Sequence, residues 1–175
     1  MNQTPRILIF TGDGKGKTTA ALGMAFRASG HGLRTCMLQF IKADASVGEV
    51  VAARGLRCLE LIQTGLGFLP PSTSPAFREH QTAAQAGLRK AAEVLASGEF
   101  NLVILDDLCT AVARGLLDEP PVTELIARAP SDVVLVLTGR GATPGLIAWA
   151  DTVTEMRCVK HGLQAGRNAQ EGVER

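Results

Sequence analysis

The amino-acid sequence predicts an α/β domain in which a mostly parallel sheet carries helices on both faces. Short apolar runs alternate along the 175-residue chain with segments of helical pattern, an order typical of βαβ units with right-handed crossovers. The apolar runs show little alternation with polar residues, as expected for strands in a sheet that is covered on both sides. A third observation, a glycine-rich loop directly after the first strand, bears on function as well as on fold.

The first strand is predicted over Arg6 to Phe10, where an almost wholly apolar run leads into the glycine-rich loop. Five further strands are predicted at residues 35–40, 56–62, 102–105, 133–137 and 152–156. The run at 56–62 has the weakest pattern of the set. The strand at 102–105 leads directly into two adjacent carboxylates.

Helices are predicted between these strands, at residues 18–29, 46–54, 75–97, 122–129 and 146–150. The first is rich in alanine and other good helix formers, and Gly30 ends it. The second begins at Ser46, whose spacing from Glu49 is that of a capping box. The third is long and alanine-rich, and Gly98 ends it.

Composition and length indicate one domain over residues 1–175. Hydrophobic residues make up 46% of the chain, charged residues 20%, and the net charge is +1, so no general attraction to nucleic acid or membrane is expected. The four cysteines are scattered, without the spacing of a metal site, which favours a reduced, cytoplasmic setting. The first residues do not read as a signal peptide. The polar segment 160–175 is either a frayed tail or a strap over a bound nucleotide.

The glycine-rich loop spans Thr11 to Thr19 and lies between the first strand and the first helix. Glycine at positions 12, 14 and 16 allows backbone N–H groups to turn inward around anionic oxygens, because glycine tolerates positive φ. The helix that follows offers its positive N-terminal end to the same anion. Strand, loop and helix together are typical of a phosphate-binding loop, and the alternative is a glycine-rich turn that binds nothing.

Lys17 and Thr18 supply the side chains that such a loop uses, an ammonium for the phosphates and a hydroxyl for Mg²⁺. The loop departs from the strict pattern, because Thr11 stands where glycine is expected and Lys15 adds a second lysine. The sequence therefore predicts a single P-loop NTPase-like domain of the RecA type with a variant loop.

Polar groups also follow three other predicted strands, and the carboxyl ends of parallel strands meet at one edge of a sheet. Gln39 and Lys42 end the second strand, Asp106 and Asp107 the fourth, and Arg140 follows the fifth. The adjacent carboxylates suit Mg²⁺, although capping of a following helix would also explain them. Arg140 is a candidate for binding phosphate or ribose, or a surface arginine in a turn.

The chain resembles the P-loop type of ATP:corrinoid adenosyltransferase nearly end to end. The resemblance is carried by the glycine-rich loop and by five later motifs in the same order, at residues 27–32, 39–42, 102–108, 137–142 and 151–174. Each motif is weak alone, and the shared order makes the set specific.

The resemblance implies transfer of the 5′-deoxyadenosyl group of ATP to the Co(I) of a reduced corrinoid, cobalamin or cobyrinic acid a,c-diamide, with release of triphosphate. It implies Mg²⁺ as cofactor, a partner reductase of the flavin type, and a homodimer. The nucleotide-binding residues that it implies are Gly12, Asp13, Gly14, Lys15, Gly16, Lys17, Thr18, Thr19, Arg27, Gln39, Lys42 and Arg140. The metal ligands that it implies are Thr18 with Asp106 or Asp107, and the catalytic residues are Lys15, Lys17 and Phe68.

Two departures from the family pattern stand out. Asp107 replaces the usual glutamate, which leaves open whether it or Asp106 ligates the metal. The loop that begins at Gly65 continues as a Pro- and Ser-rich stretch; its Phe68 is the candidate for the lower cobalt face, ahead of Leu69 and Phe77.

Two other classes of function remain as alternatives. A P-loop kinase or ATPase would release ADP, and a non-catalytic protein would bind nucleotide or corrinoid without turnover. Fold alone does not decide among them.

Overall fold

A computed structural model describes residues 4–173 and contains one six-stranded sheet in which every pairing is parallel. The strands are β1 (Arg6–Thr11), β2 (Thr35–Gln39), β3 (Leu59–Gln63), β4 (Leu102–Asp106), β5 (Val134–Thr138) and β6 (Thr152–Glu155). Their order across the sheet is β3-β2-β4-β5-β1-β6. The predicted parallel sheet is confirmed, and five of its strands lie within about two residues of their predicted bounds.

The helices are α1 (Lys17–Ser29), α2 (Gly48–Ala53), α3 (Phe77–Ala96), α4 (Leu108–Ala113), α5 (Glu119–Ala127) and α6 (Pro144–Trp149), followed by a short 3₁₀ helix over Gly162–Ala165. The predicted helices on both faces are confirmed. Helix α1 packs its alanines on one face of the sheet against side chains of β2, β4 and β5, and helices α3 to α6 form the larger apolar layer on the other face.

The structure differs from the sequence prediction at three local points. Ser46 does not cap α2: the cap is Val47, and the Ser46 hydroxyl instead donates to Asp44 at 2.6 Å. Helix α4 was not predicted, because its six residues are too few for a periodic pattern. Helix α5 begins at Glu119, ahead of two prolines that suit the first turn of a helix but discouraged an earlier start.

Strand β5 lies between β1 and β4, and this order positions the site. The register pairs Phe10 with Thr138 and Gln39 with Asp106. The ends of four neighbouring strands therefore carry the polar side chains of the site to one edge of the sheet. No helix within residues 4–173 is both long enough and apolar enough to cross a membrane.

Candidate nucleotide and metal site

The glycine-rich loop is held against the chain that leaves β6. Gly14 N–H donates to the Met156 carbonyl at 2.6 Å. A Cβ built on Gly12 would lie 2.5 Å from the same oxygen, and one on Gly14 would lie 2.7 Å from it. Gly12 and Gly16 also have φ of 93° and 114°, which L side chains rarely adopt. The glycines are thus needed for close packing on Met156 as well as for the backbone conformation of the loop.

Lys17 folds back into the loop that precedes it. Its ammonium donates to the carbonyls of Gly12 and Gly14, each at 2.7 Å. Burial lowers the pKa of Lys17, and the nearby guanidinium of Arg140 lowers it further. The Asp107, Asp13 and Asp106 carboxylates act in the opposite direction, but the pKa of Lys17 stays lowered. Two neighbouring cations at the loop favour an anion at this point.

Asp106 is the centre of the polar network. Its carboxylate is fully buried and accepts four hydrogen bonds. Oδ1 accepts from the hydroxyls of Thr18 at 2.9 Å and Thr138 at 2.6 Å. Oδ2 accepts from the Gln39 amide at 3.2 Å and the Lys42 ammonium at 2.9 Å. A buried carboxylate is tolerated here because charged and neutral donors satisfy both oxygens.

The Lys42 ammonium also donates to the Thr18 hydroxyl at 3.1 Å and lies 3.6 Å from a Glu49 carboxylate oxygen. Burial alone would lower the pKa of Lys42, but the Asp106 carboxylate with its hydrogen bond, together with the Asp107 and Glu49 carboxylates, outweighs burial, and the pKa is raised. The side chain is therefore an ammonium ion at neutral pH. It contacts both members of the Thr18–Asp106 pair.

Asp107 has a φ of 61° and is the only non-glycine residue with positive φ among the residues that the structure describes. Its N–H donates to the Thr138 hydroxyl at 2.9 Å, and its carboxylate accepts from the Thr110 hydroxyl at 3.2 Å. Burial raises the pKa of Asp107, and the neighbouring Asp106 charge raises it further. Thr18 thus faces Asp106, whereas Asp107 is turned toward helix α4.

The structure brings some of the other predicted residues to the loop and leaves others apart. The Lys15 ammonium donates to the carbonyl of Val173, which brings the C-terminal segment beside the loop. Asp13 and Thr19 are exposed at the loop surface. Arg27 is also exposed and lies about 15 Å along α1 from Lys17, since each helical residue rises about 1.5 Å.

The loop after β3 is tied to the end of β2 and presents an aromatic side chain to solvent. The N–H of Gly67 donates to the Ile41 carbonyl at 2.7 Å, and a Cβ on Gly65 would lie 2.1 Å from the Ile41 carbonyl carbon. Phe68 is 97% exposed, whereas Phe77 is buried in the core. Of the two aromatic candidates, Phe68 is thus the one that a ligand could contact.

A family model described as ATP:corrinoid adenosyltransferase BtuR/CobO/CobP matches residues 3–175 of this chain. The chain belongs to this family. It is 42% identical over 172 residues to the corrinoid adenosyltransferase of Pseudomonas aeruginosa, covering 96% of this chain and 82% of that one. It is 37% identical over 171 residues to the corrinoid adenosyltransferase of Escherichia coli, covering 96% and 84%. As an adenosyltransferase family member, the chain is an enzyme of the transferase class.

Two solved structures share the fold of this adenosyltransferase family member. They are the flagellar accessory protein FlaH of Methanocaldococcus jannaschii, with a TM-score of 0.57 and 12% identity, and a KaiC-like protein of Pyrococcus horikoshii, with a TM-score of 0.55 and 15% identity. Each covers 87% of this chain; this chain covers 72% of the first and 71% of the second. The likeness confirms a P-loop NTPase-like fold and concerns the fold alone.

Sequence reasoning gave no individual role in this candidate site to three polar side chains. The Thr138 hydroxyl donates to the Asp106 carboxylate and accepts from the Asp107 N–H, and the Thr110 hydroxyl accepts from the Arg140 N–H at 2.9 Å while donating to the Asp107 carboxylate. Glu49, interpreted as a capping residue, faces Lys42. The sequence held two signals for these side chains: the hydroxyl of Thr110, three residues after Asp107, and the hydroxyl of Thr138, at the end of β5. Both residues lie at the carboxyl edge of the sheet, where the other polar groups of the site were predicted.

Proposed function

We propose that this protein transfers the 5′-deoxyadenosyl group of ATP to the Co(I) of a reduced corrinoid and releases triphosphate. The observation that carries the proposal is the gathering of Lys15, Lys17 and Arg140 around a glycine loop in a family member. A triphosphate that leaves as one unit needs neutralisation along its whole length, which several cations around one loop provide.

The proposed step balances without an added reactant. The electron pair of Co(I) forms the Co–C5′ bond while the bond from C5′ to the triphosphate oxygen breaks, and its pair leaves with the triphosphate. The corrinoid substrate supplies the nucleophile, so the protein's part is to align three atoms and to stabilise the leaving charge. Lys17 and Lys15 would bind the triphosphate, and Arg140 would contact phosphate or ribose.

The donors beside the loop suit Mg²⁺, because the Thr18 hydroxyl and the Asp106 carboxylate are hard oxygen groups 2.9 Å apart. Among residues 4–173, no three His, Cys, Asp or Glu side chains are grouped to hold a metal by themselves. Phosphate oxygens and water would therefore complete the coordination, as is usual for Mg²⁺ with nucleotides. When bound, Mg²⁺ would add positive charge beside the leaving triphosphate.

We assign the corrinoid side of the site to the loop that carries Phe68. That loop follows β3 at the edge of the sheet where the glycine loop lies, and its Phe68 is exposed. An apolar ring against the lower face of the cobalt would exclude an axial ligand from that face. The two loops would then enclose the two substrates from opposite sides.

The test is an anaerobic reaction of the protein with ATP, Mg²⁺ and a chemically reduced Co(I) corrinoid. We expect a light-sensitive Co–C product in the wild type. Lys17→Ala should abolish both ATP binding and product formation, because it removes the ammonium inside the loop. Lys90→Ala is the matched control, since Lys90 lies on the surface of α3 in an exposed pair with Glu93.

Retained transfer in Lys17→Ala would remove the loop from the mechanism. Release of ADP with unchanged corrinoid would instead move the protein to the kinase or ATPase class. Tight binding of ATP and corrinoid without any product would indicate a non-catalytic binding protein.

A further inference from the structure

We propose that the Lys42 ammonium occupies the divalent-cation position between Thr18 and Asp106 until a nucleotide draws it away. The metal would then enter together with ATP and not before it. The inference rests on the magnesium role that the proposed function gives to these two residues, and it adds an order of binding that Lys42 imposes.

The geometry of the ammonium supports this role. The Thr18 hydroxyl donates its hydrogen to Asp106 Oδ1, so its lone pairs are free to face a cation, and Lys42 takes that position at 3.1 Å. Asp106 Oδ2 accepts from the same ammonium at 2.9 Å. The two oxygens that a cation would ligate are thus both engaged by one positive group.

A dication and the ammonium cannot share these two oxygens at low cost. Mg²⁺ binds oxygen at about 2.0–2.1 Å, so an ion bridging Thr18 and Asp106 would lie within a few ångströms of a fixed ammonium. Repulsion between the two cations at that separation is strong in a partly buried site. Metal binding therefore requires that the Lys42 side chain move.

The position and the length of the Lys42 side chain allow its ammonium to move. Lys42 lies beyond the end of β2, its side chain is 31% exposed, and its flexible stem carries a point charge. Glu49, 3.6 Å away, is a second carboxylate that is near enough to keep the ammonium paired. A triphosphate in the glycine loop would add several negative charges beside Lys42 and draw the ammonium from Asp106, which frees the pair for the metal.

The experiment measures Mn²⁺ binding by electron paramagnetic resonance, with Mn²⁺ as the probe for the site. In the wild type we expect weak binding without nucleotide and binding at least about tenfold tighter with a non-transferable ATP analogue, a factor equivalent to about 1.4 kcal/mol. In Lys42→Met we expect binding without nucleotide to tighten at least about tenfold. Lys90→Met, which removes a surface lysine, should leave it unchanged.

Three results would overturn the inference. One is equal Mn²⁺ affinity of wild type and Lys42→Met without nucleotide. Another is wild-type binding that is as tight without nucleotide as with it. The third concerns folding, because Lys42→Met leaves the buried Asp106 without its cation. If this variant is unfolded without metal, added Mg²⁺ must restore the circular dichroism of the wild type, and failure to restore it would overturn the inference.

The outcome also separates this inference from the proposed function. If neither protein binds Mn²⁺ even with the ATP analogue, the magnesium role itself is wrong. If the wild type binds Mn²⁺ with the analogue but Lys42→Met gains nothing without it, only the role of Lys42 is wrong.

Discussion

Thr138→Val should destabilise the protein more than any other change of equal size at the site. Thr138 is 1% exposed, and its hydroxyl donates to Asp106 Oδ1 at 2.6 Å while accepting from the Asp107 N–H at 2.9 Å. Valine has nearly the same shape but makes neither bond. The substitution therefore removes hydrogen bonds without opening a cavity.

The magnitude follows from the two bonds. Loss of a hydrogen bond to a charged group costs about 1.5–3 kcal/mol, and an orphaned buried N–H costs about 1–3 kcal/mol. We expect the free energy of unfolding to fall by about 3–5 kcal/mol in total. With a urea slope near 2 kcal/mol per molar for a chain of this size, the midpoint should fall by about 2 M.

The assay is equilibrium urea unfolding at neutral pH without nucleotide, followed by circular dichroism. Thr138→Ser is the matched control, because it keeps the hydroxyl and removes one buried methyl, at a cost of about 1 kcal/mol. If valine costs no more than serine, the hydroxyl does not stabilise the Asp106 carboxylate and the Asp107 N–H, and the network around Asp106 is not what holds this edge of the sheet together.

Three further predictions concern separate parts of the site. Gly65→Ala should cost about 1–3 kcal/mol by urea unfolding, because its Cβ would lie 2.1 Å from the Ile41 carbonyl carbon, whereas Gly23→Ala, with nothing within 4 Å, should be neutral or stabilising. Asp107→Asn should raise the Tm at pH 7 by about 2–4 °C, because burial and Asp106 raise the pKa of this carboxyl and asparagine suits its positive φ. Because the pKa of Asp107 is higher in the folded state, its charged form destabilises the fold at pH 7, and this penalty disappears once the carboxyl is protonated. The part of the gain in Tm that comes from the charge should therefore shrink as the pH falls toward 3.8. A gain in Tm that is the same at pH 7 and near pH 3.8 would contradict the cause given. Phe68→Ala should slow reduction of Co(II) more than transfer from Co(I), and should change the free energy of unfolding by less than about 0.5 kcal/mol because Phe68 is 97% exposed; equal losses in the two reactions would mean that Phe68 only shapes its loop.

The fold could be predicted because its signals are local and strong. The apolar runs that become β1 and β4 are long enough to stand out, and the glycine loop fixes the strand–loop–helix order around Lys17. Short elements such as α4 carry too few residues for a pattern. The start of α5 was predicted late because prolines that end most helices are accepted in a first turn.

The contacts between the side chains of the site were harder to predict than the place of these residues at the carboxyl edge of the sheet. The predicted strand ends indicate which residues gather at the carboxyl edge of the sheet, but they do not indicate which carboxylate faces Thr18. That depends on the positive φ of Asp107, which turns its side chain toward Thr110. The capping interpretation of Glu49 failed because a lysine seven residues earlier pairs with it across the loop. Sequence spacing does not reveal such contacts between elements.

The most direct test of the central claim is the identity of the phosphate product of a single turnover with excess Co(I) corrinoid, read by ³¹P NMR. The account predicts inorganic triphosphate in a one-to-one ratio with the Co–C product, because the bond at C5′ breaks and the phosphate chain stays whole. ADP with phosphate, or AMP with diphosphate, would mean that a bond within the chain breaks, and would contradict the account.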